Sequence, residues 1–146
     1  MDPVSLVCAA VAAAGAVAQH VEWSDRLAVL DDGRSSAFVR ADPSLLDDVY
    51  APGSRLRAQD ASLIERYAAR GLEISDVRFE VLRLGVERVS QRRTVLRVVD
   101  RLEPVRVRHP GGAWRTLPRD GPTDRRVVLV RTPVGWRIQT VHRLAG

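Results

Sequence analysis

Val77-Arg78-Phe79-Glu80-Val81-Leu82-Arg83-Leu84-Gly85-Val86, residues 77–86, decides between a flat strand and a bent one. Val77, Phe79 and Val81 alternate in one phase; Leu82, Leu84 and Val86 alternate in the other. Strand side chains point to opposite faces in turn, so a phase shift inside one apolar run predicts a β-bulge. A bulge bends the strand that carries it. Downstream the period of two continues from Thr94 to Val99, then at Val105 and Val107, with Pro104 marking a break or an edge. Trp114 to Leu117 reads as a short piece between the loops His109-Pro110-Gly111-Gly112 and Pro118 to Asp124. Val127 to Val130 and Trp136 to Val141 flank Thr132-Pro133-Val134-Gly135, a hairpin signal.

Upstream the period changes to that of a helix. Trp23, Leu27, Leu30, Arg34, Ala37, Phe38 and Ala41 recur at three- and four-residue steps, an apolar stripe broken by Arg34. Ser24 is the expected N-cap and Asp25 suits the first turn. Asp42-Pro43 ends this helix and opens a short second one carrying Leu45, Leu46 and Val49. After the turn Tyr50-Ala51-Pro52-Gly53-Ser54, Asp60 is the expected cap of a third helix with Leu63, Ile64, Tyr67 and Ala68 on one face. Gly71 stands where a left-handed residue closes a helix. Three helices followed by four long antiparallel strands cannot alternate as βαβ units. The expected class is α+β: three N-terminal helices packed on a curved antiparallel sheet, a cone with a cavity at its open end.

Residues 4–18 carry no charge, and Ala16-Val17-Ala18 before Gln19 has the small-x-small form of a signal cleavage site. Against that, the stretch is short for a membrane span, which needs about 20 apolar residues. Met1-Asp2-Pro3 also lacks positive charge, and a start further upstream would supply both charge and length. Val7 before Cys8 argues against a lipobox. The expectation is an apolar N-terminal segment over residues 1–21, a signal or anchor remnant, followed by one domain over 22–146. The protein is then extracytoplasmic, secreted or membrane-anchored; the alternative is cytoplasmic, with an Ala-rich helix packed on the domain.

The net charge of +5 invites a nucleic-acid partner, but the pattern does not. Every basic residue is arginine, as GC-rich genomes such as those of actinobacteria favour. The arginines alternate with acids, as in Asp25-Arg26, Glu87-Arg88 and Asp100-Arg101. A solvated Arg-rich surface is the expected outcome, with no nucleic acid bound and membrane association possible. One cysteine and three unpaired histidines (His20, His109, His142) give no metal constellation. There is no Gly-rich phosphate loop and no nucleophile elbow, so no cofactor is expected.

The order of elements resembles the nuclear transport factor 2-like superfamily, the cone-shaped α+β fold of SnoaL-like proteins. More narrowly it resembles uncharacterised exported or membrane-anchored actinobacterial members. The residues carrying the likeness are Leu30-Asp31-Asp32-Gly33-Arg34, Asp48-Val49-Tyr50-Ala51-Pro52-Gly53-Ser54, Asp60, Arg70-Gly71, Val99-Asp100-Arg101-Leu102 and Gly135-Trp136-Arg137-Ile138. The likeness covers about residues 22–144. The resemblance implies a cystatin-like fold, a homodimer formed through the sheet, and, where members are enzymes, an acid–base group inside the cone. Fold alone assigns no reaction.

Asp100 and His142 are the candidates for such acid–base work. Asp100 alternates in phase with Leu96, Val98 and Leu102, and a carboxylate on that face needs a partner; Arg34 is the expected one. His142 shares phase with Trp136 and Ile138 near the end of the last strand and reads as a surface histidine. Phe38, Tyr50 and Trp136 are the candidates for ligand contact, with Trp114 beside them. Tyr50 is expected to hydrogen-bond a backbone group, and Asp60 to serve as a cap. The reading that follows is a non-catalytic extracytoplasmic domain binding a protein partner or a small apolar ligand. The alternative is a small isomerase or dehydratase, which requires Asp100 and His142 to point into one cavity.

Overall fold

Alanine is the strongest helix former, and it carries the N-terminal segment and the amphipathic stretch through as one helix. The computed structural model describes residues 3–75 and 77–145, with side chains from Gly15 onward; in it α1 runs unbroken over Pro3–Arg40. Ser24 lies inside this helix, so no cap is needed there. Residues 15–22 are exposed on every side, and burial begins at Trp23. The readings attached to Met1 and Cys8 lie outside the described side chains. Among the described residues no helix is long and apolar enough to cross a membrane.

The stripe forecast for α1 is its buried face: Trp23, Leu27, Leu30, Ala37 and Phe38 enter the core. The second expected helix is a 3-10 helix, Pro43–Asp48, rather than an α-helix. Asp42 caps it, accepting from Ser44 N at 3.0 Å. The third, α2, spans Arg55–Ala69 and starts after Ser54. Asp60 therefore sits in its second turn, not at its end, and is buried.

Both α-helices end in the same pair of backbone bonds. In α2, Leu72 N donates to Tyr67 O at 3.0 Å and Gly71 N to Ala68 O at 2.9 Å, with Gly71 at φ 66°. In α1, Asp42 N donates to Ala37 O at 2.9 Å and Ala41 N to Phe38 O at 3.2 Å, but the left-handed residue is Ala41, at φ 52°. A Cβ in that region costs about 1–2 kcal/mol, part of which glycine's larger unfolded freedom takes back. Ala41→Gly is expected to stabilise the fold by ~0.5–1 kcal/mol and raise Tm by about 2–4 °C. A thermal melt that stays level or falls would show that Ala41 is unstrained.

The strands are β1 (Glu73–Ser75), β2 (Phe79–Val89), β3 (Arg93–Leu102), β4 (Arg106–Arg108), β5 (Arg115–Thr116), β6 (Thr123–Thr132) and β7 (Gly135–Arg143). The four long ones form one antiparallel sheet in the order β2-β3-β6-β7. The expected bulge is present: Val81 pairs with Asp100 and Arg83 with Val99, leaving Leu82 as the extra residue. A second register shift follows between Val86 and Arg88, and both bend β2. The short strands do not join this sheet. They make a second one, β1-β4-β5, because Pro104 cannot donate to a ladder and the chain leaves β3 there.

A third register shift leaves Gln139 extra in β7, where Ser54 Oγ donates to its carbonyl at 2.9 Å. Beside it the segment 49–51 adds to β7 as a parallel bridge. Ile138 N donates to Val49 O at 2.9 Å, and Ala51 N to Ile138 O at 2.8 Å. These bonds cover an edge strand that would otherwise be open to pairing. They also hold Tyr50 at the rim of the core.

On β3, Leu96, Val98 and Asp100 point inward, all almost fully buried. The opposite face carries arginines paired with acids: Arg97 with Asp124 at 2.7 Å, Arg101 with Glu80 at 2.6 Å and Arg126 with Glu87 at 3.1 Å. Exposed pairs of this kind add little stability.

Candidate functional site

Inside the cone the stripe of α1 carries one cation, Arg34, and α2 carries one buried anion, Asp60. Arg34 Nε donates to Asp60 Oδ2 at 2.6 Å and Nη2 to Oδ1 at 3.1 Å, a two-pronged pair. Tyr50 Oη donates to the same Oδ2 at 2.6 Å. Burial, reinforced by the Asp60 carboxylate, pushes the Tyr50 hydroxyl well above its ordinary pKa, so it remains a donor. The Arg34 guanidinium carbon lies 5.4 Å from the centroids of both Phe38 and Phe79.

A second ion pair sits alongside. Asp100, 2 % exposed, accepts from Arg125 Nη2. Arg125 approaches the Phe79 ring at 5.9 Å, and its buried Nε has no partner among the described residues. Asp31, one helical turn before Arg34, completes the cluster. Burial raises its pKa to about 6; Arg125 and Arg34 pull it down, while Asp100 and Asp32 push it up. Three acids thus face two arginines.

The raised value has a consequence for stability. Between about pH 4 and 6 the folded state binds a proton at Asp31 that the unfolded chain has released. Stability therefore falls as pH rises through that window, and the cost is complete above it. Asp31→Asn is expected to stabilise the protein at pH 7.5 by roughly 2 kcal/mol, part of the effect being screened where solvent still reaches the carboxyl. Its advantage should vanish at pH 4. Urea melts at the two pH values check this, and an equal difference at both would refute a shifted Asp31.

Two cavities meet at Arg34. The smaller, about 170 Å³, is polar and bounded by Asp31, Arg34, Tyr50, Gln59, Asp60 and Arg125. The larger, about 370 Å³, is apolar and bounded by Phe38, Leu63, Tyr67, Leu102, Val105 and Leu117 among others, with the exposed His109 at its mouth. Arg34 is the residue that lines both.

The sequence candidates distribute unevenly over this geometry. Asp100 pairs with Arg125 and not with Arg34, whose partner is Asp60. His142 is exposed, in register with Arg126, which is in register with Arg97 on the outward face. Asp100 and His142 therefore lie on opposite faces of the sheet and share no cavity. Phe38 lines the apolar cavity. Tyr50 lines the polar one, and its hydroxyl meets a carboxylate rather than a backbone group. Trp136 lines neither: it meets Trp23 edge to face at 4.8 Å, with Arg26 stacked 5.3 Å from Trp23. Trp114 lies beside Arg106 and Arg108, at 5.4 and 4.8 Å.

Asp31 and Arg125 belong to the site and were not among the candidates. A signal existed for Asp31, which falls on the row Leu27, Asp31, Arg34, Phe38; Arg125 had none, because the apolar run Val127 to Val130 that follows it shows no alternation.

No family model matches the chain, and no curated protein sequence matches it. Solved structures do. The intermembrane space region of the chloroplast protein ARC6 superposes with a TM-score of 0.62 at 16% identity, over 87% of this chain and 97% of that one. A nuclear transport factor 2-like superfamily protein from Salmonella enterica serovar Typhimurium gives 0.53 at 15% identity, over 83% and 89%. An uncharacterised protein with a cystatin-like fold from Caulobacter vibrioides gives 0.50 at 13% identity, over 84% and 88%. At such identities the likeness speaks for architecture: the chain has the cystatin-like α+β fold of nuclear transport factor 2-like proteins.

Proposed function

We propose that this chain is a non-catalytic binding domain whose cone takes up a small, mainly apolar ligand. The observation that carries the reading is the division of the interior at Arg34. The apolar cavity, within the size range of ligand pockets, has no carboxylate in its wall among the described residues. The acids lie beyond Arg34, where Asp60 and Asp100 are held in ion pairs. Asp31 has a pKa suited to proton transfer, but the polar cavity it shares with both arginines, about 170 Å³, is well below what a substrate needs, and its other side borders an acidic surface cleft rather than the apolar cavity. The uncharged residues 4–18 are consistent with placing this domain outside the cytoplasm or at a membrane.

The test uses the neutral fluorophore N-phenyl-1-naphthylamine. Saturable binding at one site is expected, with a dissociation constant on the order of tens of micromolar from the efficiency typical of small ligands. Leu63→Trp, which fills the cavity from α2, should abolish it while circular dichroism stays unchanged. Absence of saturable binding, or binding untouched by Leu63→Trp, would overturn the reading.

A further inference from the structure

Arg34 is the guanidinium that lines the apolar cavity, and its bonding is asymmetric. Nε and Nη2 are spent on Asp60, whereas Nη1 makes no hydrogen bond among the described residues. About a quarter of the side chain's surface, 26%, remains accessible, and the space next to it is the two cavities. A ligand in the apolar cavity therefore meets a guanidinium whose orientation is fixed by Asp60 and by the rings of Phe38 and Phe79. The donor is in place before the ligand arrives, so little ordering is lost on binding.

Charge decides what kind of acceptor suits it. Arg34 is already balanced by Asp60, and Arg125 by Asp100. Asp31 adds a further negative charge above about pH 6. Beyond Asp31 an open cleft carries Asp25, Asp32 and Glu103, opposed by Arg78. An anionic head at Arg34 would enter a neighbourhood that is already net negative, with little solvent to screen it. A neutral carbonyl takes the same hydrogen bond without that repulsion.

We propose that the cone binds an uncharged, acceptor-headed amphiphile such as a medium-chain ketone, ester or amide, inserted head first so that its carbonyl oxygen accepts from Arg34 and its chain fills the apolar cavity. A volume of about 370 Å³ holds roughly twelve heavy atoms if each takes a water molecule's ~30 Å³ share. The inference rests on the binding function proposed above and adds to it the head group and the direction of entry.

The experiment is displacement of N-phenyl-1-naphthylamine at pH 8 by decan-2-one, decane and decanoate, three chains of similar length that differ at the head. Decan-2-one is expected to displace the dye about tenfold more tightly than either of the others, the worth of one hydrogen bond from a charged donor. Arg34→Met alone leaves Asp60 buried and unpaired, and removing Asp60 as well would free the Tyr50 hydroxyl, so the combined variant Arg34→Met, Tyr50→Phe and Asp60→Leu is the useful one. In it decan-2-one and decane should become equal while the dye still binds. Equal displacement by decan-2-one and decane in the unaltered protein would overturn the role of Arg34 and leave the cavity reading intact. Tightest binding of decanoate would overturn the charge argument and make the site an anion site. Failure of the dye itself to bind would remove both readings together.

Discussion

Asp60→Ala is expected to destabilise the protein by about 3–5 kcal/mol, the cost of breaking a buried ion pair by removing one partner. The loss does not measure how much the pair contributes. Removing the carboxylate strands the Arg34 guanidinium between the Phe38 and Phe79 rings, and leaves the Tyr50 hydroxyl without its acceptor. A buried hydroxyl and a largely buried guanidinium then lack partners, which is the expensive condition. The companion variant separates the two quantities. Replacing the whole network at once, Arg34→Met, Tyr50→Phe and Asp60→Leu, leaves nothing unpaired and exchanges polar groups for apolar ones of similar size. It should fall within about 2 kcal/mol of the unaltered protein. Urea denaturation of both variants checks the pair. If the triple change is as damaging as Asp60→Ala, the network stabilises the fold in its own right, and the view that it mainly shapes the two cavities is wrong.

The network also shows which parts of this molecule can be read from its sequence. The bent sheet is legible because strand periodicity is local: a phase slip at Leu82 is written within ten residues and needs no knowledge of the partner strand. The Pro133-Val134 turn and the left-handed Gly71 are legible for the same reason. Gly71 is also confined by packing, since a Cβ there would come within 2.7 Å of Pro110 Cγ. Ion pairing is not local. Arg34 stands out as a charge on an apolar stripe, so its need for a partner is evident. Whether that partner is Asp60 or Asp100 depends on how α2 is placed relative to α1, which no spacing in the chain encodes. Arg125 was hidden by its own strand: Val127, Val128 and Leu129 are all buried, so the run shows no alternation from which an inward phase could be taken. The boundary expected at Ser24 failed for another reason. Alanine's propensity does not need a cap to continue a helix, and nothing in the stripe says where the helix carrying it began.

Trp23→Ala should cost about 3–5 kcal/mol, the usual range for removing a large aromatic side chain from a core. Trp23 is the first buried residue of α1 among the described side chains, at 3% exposure, and it fixes the helix to the far edge of the sheet through Trp136 on β7. The two rings meet at right angles, 4.8 Å apart, the arrangement that sets the electron-poor edge of one against the face of the other. Arg26 covers the pair from outside, 5.3 Å from one ring and 6.0 Å from the other. Trp136→Ala should cost less, because Trp136 is only half-buried. The double variant should then fall short of the sum of the single losses by about 0.5–1.5 kcal/mol, the coupling typical of an aromatic pair in contact. Simple additivity would mean that the rings do not hold each other, and that α1 is fixed to the sheet only by the stripe from Leu27 onward. A Trp23→Ala loss below about 1 kcal/mol would mean more, since the core would then begin one turn later and leave the helix before it unattached. Dye binding separates the remaining possibilities: the apolar cavity lies at the other end of the stripe, around Phe38, so Trp23→Ala should leave it intact in whatever fraction of the protein stays folded.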